Sequence, residues 1–313
     1  RFGLFRWVRN HRACCYSTQT SPSRGEVAIC NLIDGTKHNL PEHVETASRV
    51  AFSPDGTTLA VTTAHFKGGK EGKELGGVWN VESGRRIRPL IRPDGFWSCN
   101  FGLRANYSPD GKQMVMGYTD RLQLCDAASG AIVHTRSDGD PALICEVEFS
   151  PDGSQVLVAY RRSVHLVDVK TCEIIRTFKA AWLARFSPDG KTILTTTSNR
   201  YQDFSLLMWD VESGKLLNTL KGHTENVYDC AFSSDGQNIA SGGTDQTVRI
   251  WDVGSGGLLH TLTEHSDTVL GVAFAPDGST LATASRERVL LWNSHKLPDP
   301  SNNAARAEDP VSR

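Results

Sequence analysis

Residues 222–252, GHTENVYDCAFSSDGQNIASGGTDQTVRIWD, contain the clearest structural pattern in the chain. The stretch begins with Gly-His, ends with Trp-Asp, and holds three short apolar runs at 227–232, 238–241 and 247–251. The turn formers Ser-Asp-Gly and Gly-Thr-Asp separate these runs. Short runs rich in Val, Ile and aromatic residues predict β-strands joined by tight hairpins, because a helix needs a longer unbroken period.

The same unit recurs through nearly the whole chain. The hairpin signal Ser/Ala-Pro/Ser-Asp-Gly occurs six times, with its acid at Asp55, Asp110, Asp152, Asp189, Asp235 and Asp277. An apolar triplet that ends in Asp or Asn occurs seven times, ending at Asn31, Asn80, Asp126, Asp168, Asp210, Asp252 and Asn293. Successive endings are separated by 49, 46, 42, 42, 42 and 41 residues. This period is typical of a four-stranded propeller blade.

The repeats resemble those of the WD-repeat β-propellers over roughly residues 26–294. The terminal Trp-Asp pair is complete at 209–210 and 251–252, and Asn replaces the Asp at 79–80 and 292–293. The three other copies lack the Trp. The resemblance implies an all-β fold, a β-propeller of seven blades, each a four-stranded antiparallel sheet.

We expect a single propeller domain over residues 1–294, followed by a disordered tail or linker at 295–313 with little apolar content. Residues 1–25 are interpreted either as part of a first blade or as a targeting or disordered segment, which would leave six blades or an incomplete ring. The last repeat has three strand runs. Its fourth strand is expected from the N-terminal segment or from 295–297, unless the chain is cut from something longer.

The composition argues against several partners and compartments. The net charge is −1, from 34 basic and 35 acidic residues, which removes the electrostatic argument for a nucleic-acid or membrane partner. Eight cysteines without disulfide-like spacing favour a reducing compartment, and we expect a cytoplasmic protein. Residues 1–25 contain five Arg and no acid, so the alternative is a mitochondrial transit peptide. No apolar run reaches the roughly 20 residues that span a bilayer.

No sequence motif indicates catalysis or a cofactor. The Gly/Lys-rich loop at 65–77 is one residue short of the P-loop spacing, so we interpret it as a long solvated loop. His260 and His265 are close in sequence but lack the clustered spacing of a zinc site. We therefore predict no enzyme activity, no catalytic residues, no metal and no cofactor.

The resemblance implies one hydrogen-bonded column per complete repeat, formed by a His, a strand hydroxyl, a turn Asp and the Trp. In the quoted repeat these positions are His223, Ser241, Asp245 and Trp251. The next repeat keeps His265, Thr283 and Trp292, but its turn is one residue shorter and offers Arg286-Glu287 in place of Asp. We expect a looser network there. Both histidines are expected to be structural, because buried ring nitrogens need partners.

The resemblance also implies that partners bind the top face, at the first residues of the innermost strand of each blade. Aligned positions give the predicted partner-binding residues Arg49, Leu103, Arg104, Glu146, Trp182, Tyr228, Asp229 and Leu270. Aromatic anchors beside a few charges are what an interface hot spot needs. The alternative for Trp182 is that it packs inward, since its repeat lacks Gly-His.

The first hypothesis is a non-catalytic scaffold, a monomer or a subunit of a complex, that binds protein or peptide on the top face and the rim of the central channel. The second is an interaction domain of a larger signalling or regulatory protein. The third is a propeller enzyme that uses the central channel, for which the innermost strands offer only Glu146 and Asp229.

Overall fold

The computed structural model describes residues 14–21, 24–30, 37–40, 47–63, 74–91, 103–118, 121–137, 144–179, 181–197 and 203–294. Every regular element in this part of the chain is a β-strand, and within each sheet consecutive strands pair antiparallel. The predictions for residues 1–13 and 295–313, and for most of the 65–77 loop, lie outside the described residues.

Six successive sheets carry the repeat. The first two are β4 (Ala47–Phe52), β5 (Thr58–Thr63), β6 (Glu74–Asn80), β7 (Arg86–Ile91), and β8 (Arg104–Tyr107), β9 (Gln113–Tyr118), β10 (Arg121–Asp126), β11 (Ile132–Ser137). The next two are β12 (Ile144–Phe149), β13 (Gln155–Tyr160), β14 (Val164–Asp168), β15 (Ile174–Phe178), and β16 (Ala181–Phe186), β17 (Thr192–Thr196), β18 (Leu206–Asp210), β19 (Leu216–Leu220). The last two are β20 (Val227–Phe232), β21 (Asn238–Gly243), β22 (Val248–Asp252), β23 (Leu258–Leu262), and β24 (Val269–Phe274), β25 (Thr280–Ser285), β26 (Val289–Asn293).

The prediction of an all-β protein built from propeller blades is confirmed, but the number of blades is corrected from seven to six. The chain begins with a three-stranded sheet of β1 (Cys14–Ser21), β2 (Arg24–Cys30) and β3 (Lys37–Asn39). This sheet lacks the Ser/Ala-Pro/Ser-Asp-Gly turn that recurs in the six blades. The sixth blade, β24–β26, has three strands among the described residues, and the other five have four.

The turn after the first strand of each blade explains why the hairpin signal recurs. The Ser53 hydroxyl donates to Asp55 Oδ1 at 2.5 Å, and Thr58 N–H donates back to Ser53 Oγ at 2.9 Å. Gly56 closes the turn at φ 73°, in the left-handed region that favours glycine. The hydrogen bond from Ser53 lowers the pKa of Asp55, which favours the ionised carboxylate that accepts these donors.

A second turn joins the third and fourth strands. Asp126 Oδ1 accepts hydrogen bonds from the N–H and the hydroxyl of Ser129, and Gly130 follows at φ 76°. Four blades place Gly at this last position, but the blade of β12–β15 places Cys172 there at φ 59°. The structure tolerates this residue because its side chain is buried against the neighbouring apolar cluster.

The chain divides into two compact units. Unit 1 comprises residues 1–161 with 165–175, and unit 2 comprises residues 162–164 with 176–313. In unit 1, β4 contacts β8 and β8 contacts β12; in unit 2, β16 contacts β20 and β20 contacts β24. Each unit therefore brings the first strands of successive blades together. The expectation of one domain over 1–294 stays a prediction.

Candidate functional site: the bulged first strands

The first strand of five blades begins with a β-bulge. The register shifts lie between Ala47 and Arg49, Ile144 and Glu146, Ala181 and Ala184, Val227 and Asp229, and Val269 and Gly271. A bulge leaves an extra residue outside the ladder of paired residues and can re-aim its side chain. We call these extra residues the bulge residues; in single-residue bulges they are Ser48, Cys145, Tyr228 and Leu270, and in β16 they are Trp182 and Leu183.

The bulge residues of unit 2 are large, and three of them reach the surface. Tyr228 is 50% exposed, which makes it the one aromatic side chain among the exposed large apolar residues of the described chain. Leu270 and Trp182 are partly exposed. Trp182 adopts φ 26°, and its neighbour Leu183 is the one that packs in the core. We call Trp182, Tyr228 and Leu270 the unit-2 bulge surface.

Charged residues near the starts of the first strands pair with other blades. In unit 1, Arg49 Nη2 lies 3.2 Å from Glu146 Oε2, and Arg104 Nε donates to the Cys145 carbonyl at 2.5 Å. Burial, together with the charge of Arg49, lowers the pKa of Arg104 to about 10, although Glu146 acts in the opposite direction. These charges therefore tie β4, β8 and β12 together.

Burial corrects two of the predicted partner-binding residues. Leu103 is 1% exposed and packs in the core beside Leu90 and Tyr118. Glu146 is 6% exposed and is paired with Arg49. A side chain that is already enclosed by its own protein cannot make a direct contact, so neither residue belongs to a candidate surface.

In unit 2, one carboxylate connects three strands. Arg185 Nη2 on β16 lies 3.1 Å from Asp229 Oδ1 on β20, and Asp229 Oδ2 accepts the Val272 N–H of β24 at 3.2 Å. Sequence reasoning placed Asp229 in the surface and missed Arg185. The available signal was an arginine in a strand position that is Ala in three of the other repeats, at Ala51, Ala231 and Ala273. A charge at such a position needs a partner when it is buried.

The column residues of the quoted repeat lie in contact. His223 Nε2 lies 2.7 Å from Ser241 Oγ, and Trp251 Nε1 donates to the same oxygen at 2.9 Å. His223 Nδ1 lies 2.8 Å from Asp245 Oδ2, which also accepts the Thr224 N–H. Burial alone would raise the pKa of Asp245, but its contacts with His223 and its other hydrogen bonds outweigh burial and lower it to about 2.

The next repeat forms only part of the column. His265 Nε2 lies 2.8 Å from Thr283 Oγ1, and Trp292 Nε1 donates to that hydroxyl at 2.9 Å. His265 Nδ1 has no hydrogen-bond partner among the described residues, because the shorter turn brings no carboxylate to it. Burial, reinforced by the charge of Arg288, lowers the pKa of His265 to about 4. This histidine is therefore neutral at physiological pH.

Another partial column was missed from the sequence. Trp209 Nε1 donates to Thr195 Oγ1 at 2.8 Å, in a blade that lacks the Gly-His signal. The signal was available, since Thr195 occupies the same register position opposite the Trp strand as Ser241. The hydrogen bond between the Trp and the strand hydroxyl therefore forms even where the column has no His.

The described residues offer neither a cluster of metal ligands nor a membrane-spanning helix. No group of three or more His, Cys, Asp or Glu side chains there is arranged to hold a metal ion. Within that part of the chain, no helix has the length and apolar character needed to cross a bilayer.

Comparisons with known proteins converge on one family. The family WD40, described as WD domain, G-beta repeat, matches residues 214–252 and 256–293. The chain is 40% identical over 63 residues to the intraflagellar transport protein 122 homolog of Mus musculus, which is 20% of this chain and 5% of that protein. It is 38% identical over 79 residues to the periodic tryptophan protein 2 homolog of Schizosaccharomyces pombe, 24% of this chain and 9% of that protein.

A third relative, the small ribosomal subunit protein RACK1 of Caenorhabditis elegans, is 32% identical over 77 residues, 22% of this chain and 24% of that protein. The matches thus span a small part of each relative's length. Residues 214–252 and 256–293, which include the last two blades and contain the Trp251 and Trp292 hydrogen bonds, therefore match the WD40 repeat, and the matches to curated WD-repeat proteins support the same family.

Proposed function

We propose that this chain is a non-catalytic interaction scaffold that binds a protein or peptide at the bulged starts of its first strands, with the unit-2 bulge surface as the main contact. The observation that supports this most directly is the half-exposed Tyr228 ring on a bulge of a rigid sheet. Preorganised aromatic side chains favour binding because little conformational entropy is lost when a partner docks.

The rest of the site supports the same role. Arg185, Asp229 and the Val272 backbone connect β16, β20 and β24, the strands that carry the three bulge residues. Arg49 and Arg104 remain in the proposal as charges beside the unit-1 bulges, since both are partly exposed. Leu103 and Glu146 are left out because they are buried.

The experiment is a recovery of bound protein from cell extract by the wild-type chain and by the Trp182→Ala/Tyr228→Ala double variant. A matched control is Leu217→Ala/Leu259→Ala, which removes two exposed apolar side chains from the fourth strands of the same unit. The proposal expects a partner that the control retains and the double variant loses by at least about tenfold, with circular dichroism unchanged. Equal recovery by all three proteins would overturn this location of the site.

A second candidate is the same interaction role within a larger signalling or regulatory protein. The observation that favours it is that the matched segments make up 5% and 9% of two relatives. Immunoblotting of the endogenous protein with an antibody against residues 222–252 tests this candidate. A band near 34.3 kDa, the mass of this chain, would contradict it.

The proposed role is not catalytic. The carboxylates that an enzyme would use, Glu146 and Asp229, are paired with Arg49 and Arg185. A hydrolase screen with activity that disappears in Asp229→Asn would contradict this part. We also propose a cytoplasmic location and protein partners rather than nucleic acid or membrane. Cys125, Cys145, Cys172 and Cys230 are thiols in the structure, as expected of a reducing compartment, and cell fractionation tests this location.

A further inference from the structure

The unit-2 bulge surface carries an uneven set of charges. Glu225 and Asp267 occupy the same place in successive repeats, three residues before Tyr228 and Leu270. Glu225 is exposed and Asp267 is partly exposed. Because β20 contacts β24, both acids lie on the segments that lead into adjacent bulges. The corresponding residue before Trp182 is Lys179, so the negative charge is concentrated at the Tyr228 end of the surface.

Asn226, two residues before Tyr228, carries an uncharged side-chain oxygen that can accept a hydrogen bond. Asn226 Oδ1 is buried and has no hydrogen-bond partner among the described residues, whereas the Asn226 carbonyl accepts Thr244 N–H at 2.9 Å. Because the Asn226 oxygen is enclosed by the protein, a partner does not reach it directly. The segment before Tyr228 therefore offers a partner the negative charge of Glu225.

Two arginines of the same region have partners of their own. Arg185 is buried against Asp229, and Arg288 Nη2 donates to Ser266 Oγ at 3.1 Å, an oxygen that in turn donates to Glu287 at 3.0 Å. Neither of these contacts engages Glu225. An exposed tyrosine ring attracts a cation to its face, and the methylene groups of a Lys or Arg side chain pack on apolar neighbours such as Leu270.

Resting on the proposed function of this surface, we propose that it recognises an extended peptide segment with a lysine or arginine side chain placed on Tyr228, between Glu225 and Asp267. The cation contacts the Tyr228 ring, and its N–H groups are directed to the carboxylates of Glu225 and Asp267. Apolar residues of the same segment cover Leu270 and Trp182. Tyr228 is the main contact, and Glu225 and Asp267 make the surface selective for a basic side chain.

The test is selection from a random dodecapeptide display library with the full-length chain, followed by subtraction on a folded Tyr228→Ala variant. Peptides that need Tyr228 are then synthesised with a fluorescein label, and their affinities are measured by fluorescence anisotropy. The variant Glu225→Gln/Asp267→Asn removes the negative charge while it keeps the shape. Glu212→Gln is the matched control, because Glu212 is an exposed acid in the turn after β18 of the same unit.

The proposal expects the Tyr228-dependent peptides to be enriched in Lys or Arg over Asp and Glu. Their affinity should fall at least about tenfold with Glu225→Gln/Asp267→Asn, stay unchanged with Glu212→Gln, and weaken as salt is raised. Tyr228-dependent peptides that are not basic, or that ignore the double variant, would overturn this inference and leave the proposed function intact. Finding no Tyr228-dependent peptide would overturn both.

Discussion

Asp229 lies 3.1 Å from the guanidinium of Arg185, and the two side chains are only 14% and 8% exposed. A buried ion pair contributes modestly as a whole, but removing one partner leaves the other charged and poorly solvated. Asp229→Ala should therefore lower the free energy of unfolding by about 3 kcal/mol, measured by calorimetry or urea unfolding. The double variant Arg185→Met/Asp229→Ala should recover part of this loss. Equal losses in the single and the double variant would show that the stranded charge is not the cause.

Replacement of His223 by Ala should destabilise the protein, because Ser241 and Asp245 each lose a buried hydrogen-bond partner. The expected loss is about 1–3 kcal/mol, read as a lower Tm in scanning calorimetry. Thr224→Ala is the matched control, since Thr224 is exposed and uses its backbone N–H to contact Asp245. An unchanged Tm in the His223 variant would remove the column as a source of stability.

The stability of the protein should depend on pH through His265. Its pKa in the folded chain, about 4, lies below the ordinary 6.5. Between these values the unfolded chain binds more protons than the folded chain, so the free energy of unfolding rises with pH. The stabilising contribution of His265 is fully present above about pH 6.5 and is lost as the pH drops toward about 4. The contribution is about 3 kcal/mol. His265→Gln should flatten urea-unfolding midpoints across this window, and an unchanged slope would contradict the assignment.

Asp245 should act in a separate and more acidic window. Its pKa of about 2 lies below the ordinary 3.8, so its stabilising contribution is present above pH 3.8 and is lost as the pH falls toward 2. Asp245→Asn should remove the part of the acid unfolding transition that lies in this range. The measurement is tryptophan fluorescence between pH 5 and pH 2. A transition in the variant identical to that of the wild type would refute the assignment of this pH range to Asp245.

Gln246 adopts φ 63° in the exposed turn between β21 and β22. Glycine adopts this backbone without the steric cost that an L side chain carries, although it gains entropy in the unfolded chain. Gln246→Gly should therefore raise the free energy of unfolding by about 0.5–1 kcal/mol, whereas Gln246→Ala keeps the strain and should not. A lower Tm for the Gly variant than for the Ala variant would contradict this reason.

The local features of the fold could be predicted because they are encoded within a few residues. Ser53, Asp55 and Gly56 close their own turn, so the hairpins and the strand positions were readable from the motif alone. The blade count was wrong, since the seventh blade rested on residues 1–31, where this turn is absent. Cys172 in a left-handed turn position could not be foreseen, because only the packing of its side chain compensates for the missing glycine.

The surface was predicted less well, for reasons that lie in tertiary structure. The alignment found the positions around the bulges but could not show that Leu103 would be enclosed by the core. It also could not show that Glu146 and Asp229 would be paired across blades by Arg49 and Arg185. Contacts between strands that are about 40 or more residues apart have no signature in the spacing of a single repeat.

In five of the six blades the bulge leaves at least one residue outside the ladder of paired residues. At this structurally equivalent place the chain carries Ser48, Cys145, Trp182, Tyr228 and Leu270, five side chains with little chemistry in common. The ladder of hydrogen bonds closes around them whatever they are. What such a protein recognises can therefore be rewritten one blade at a time, while the framework that presents the residue stays as it was.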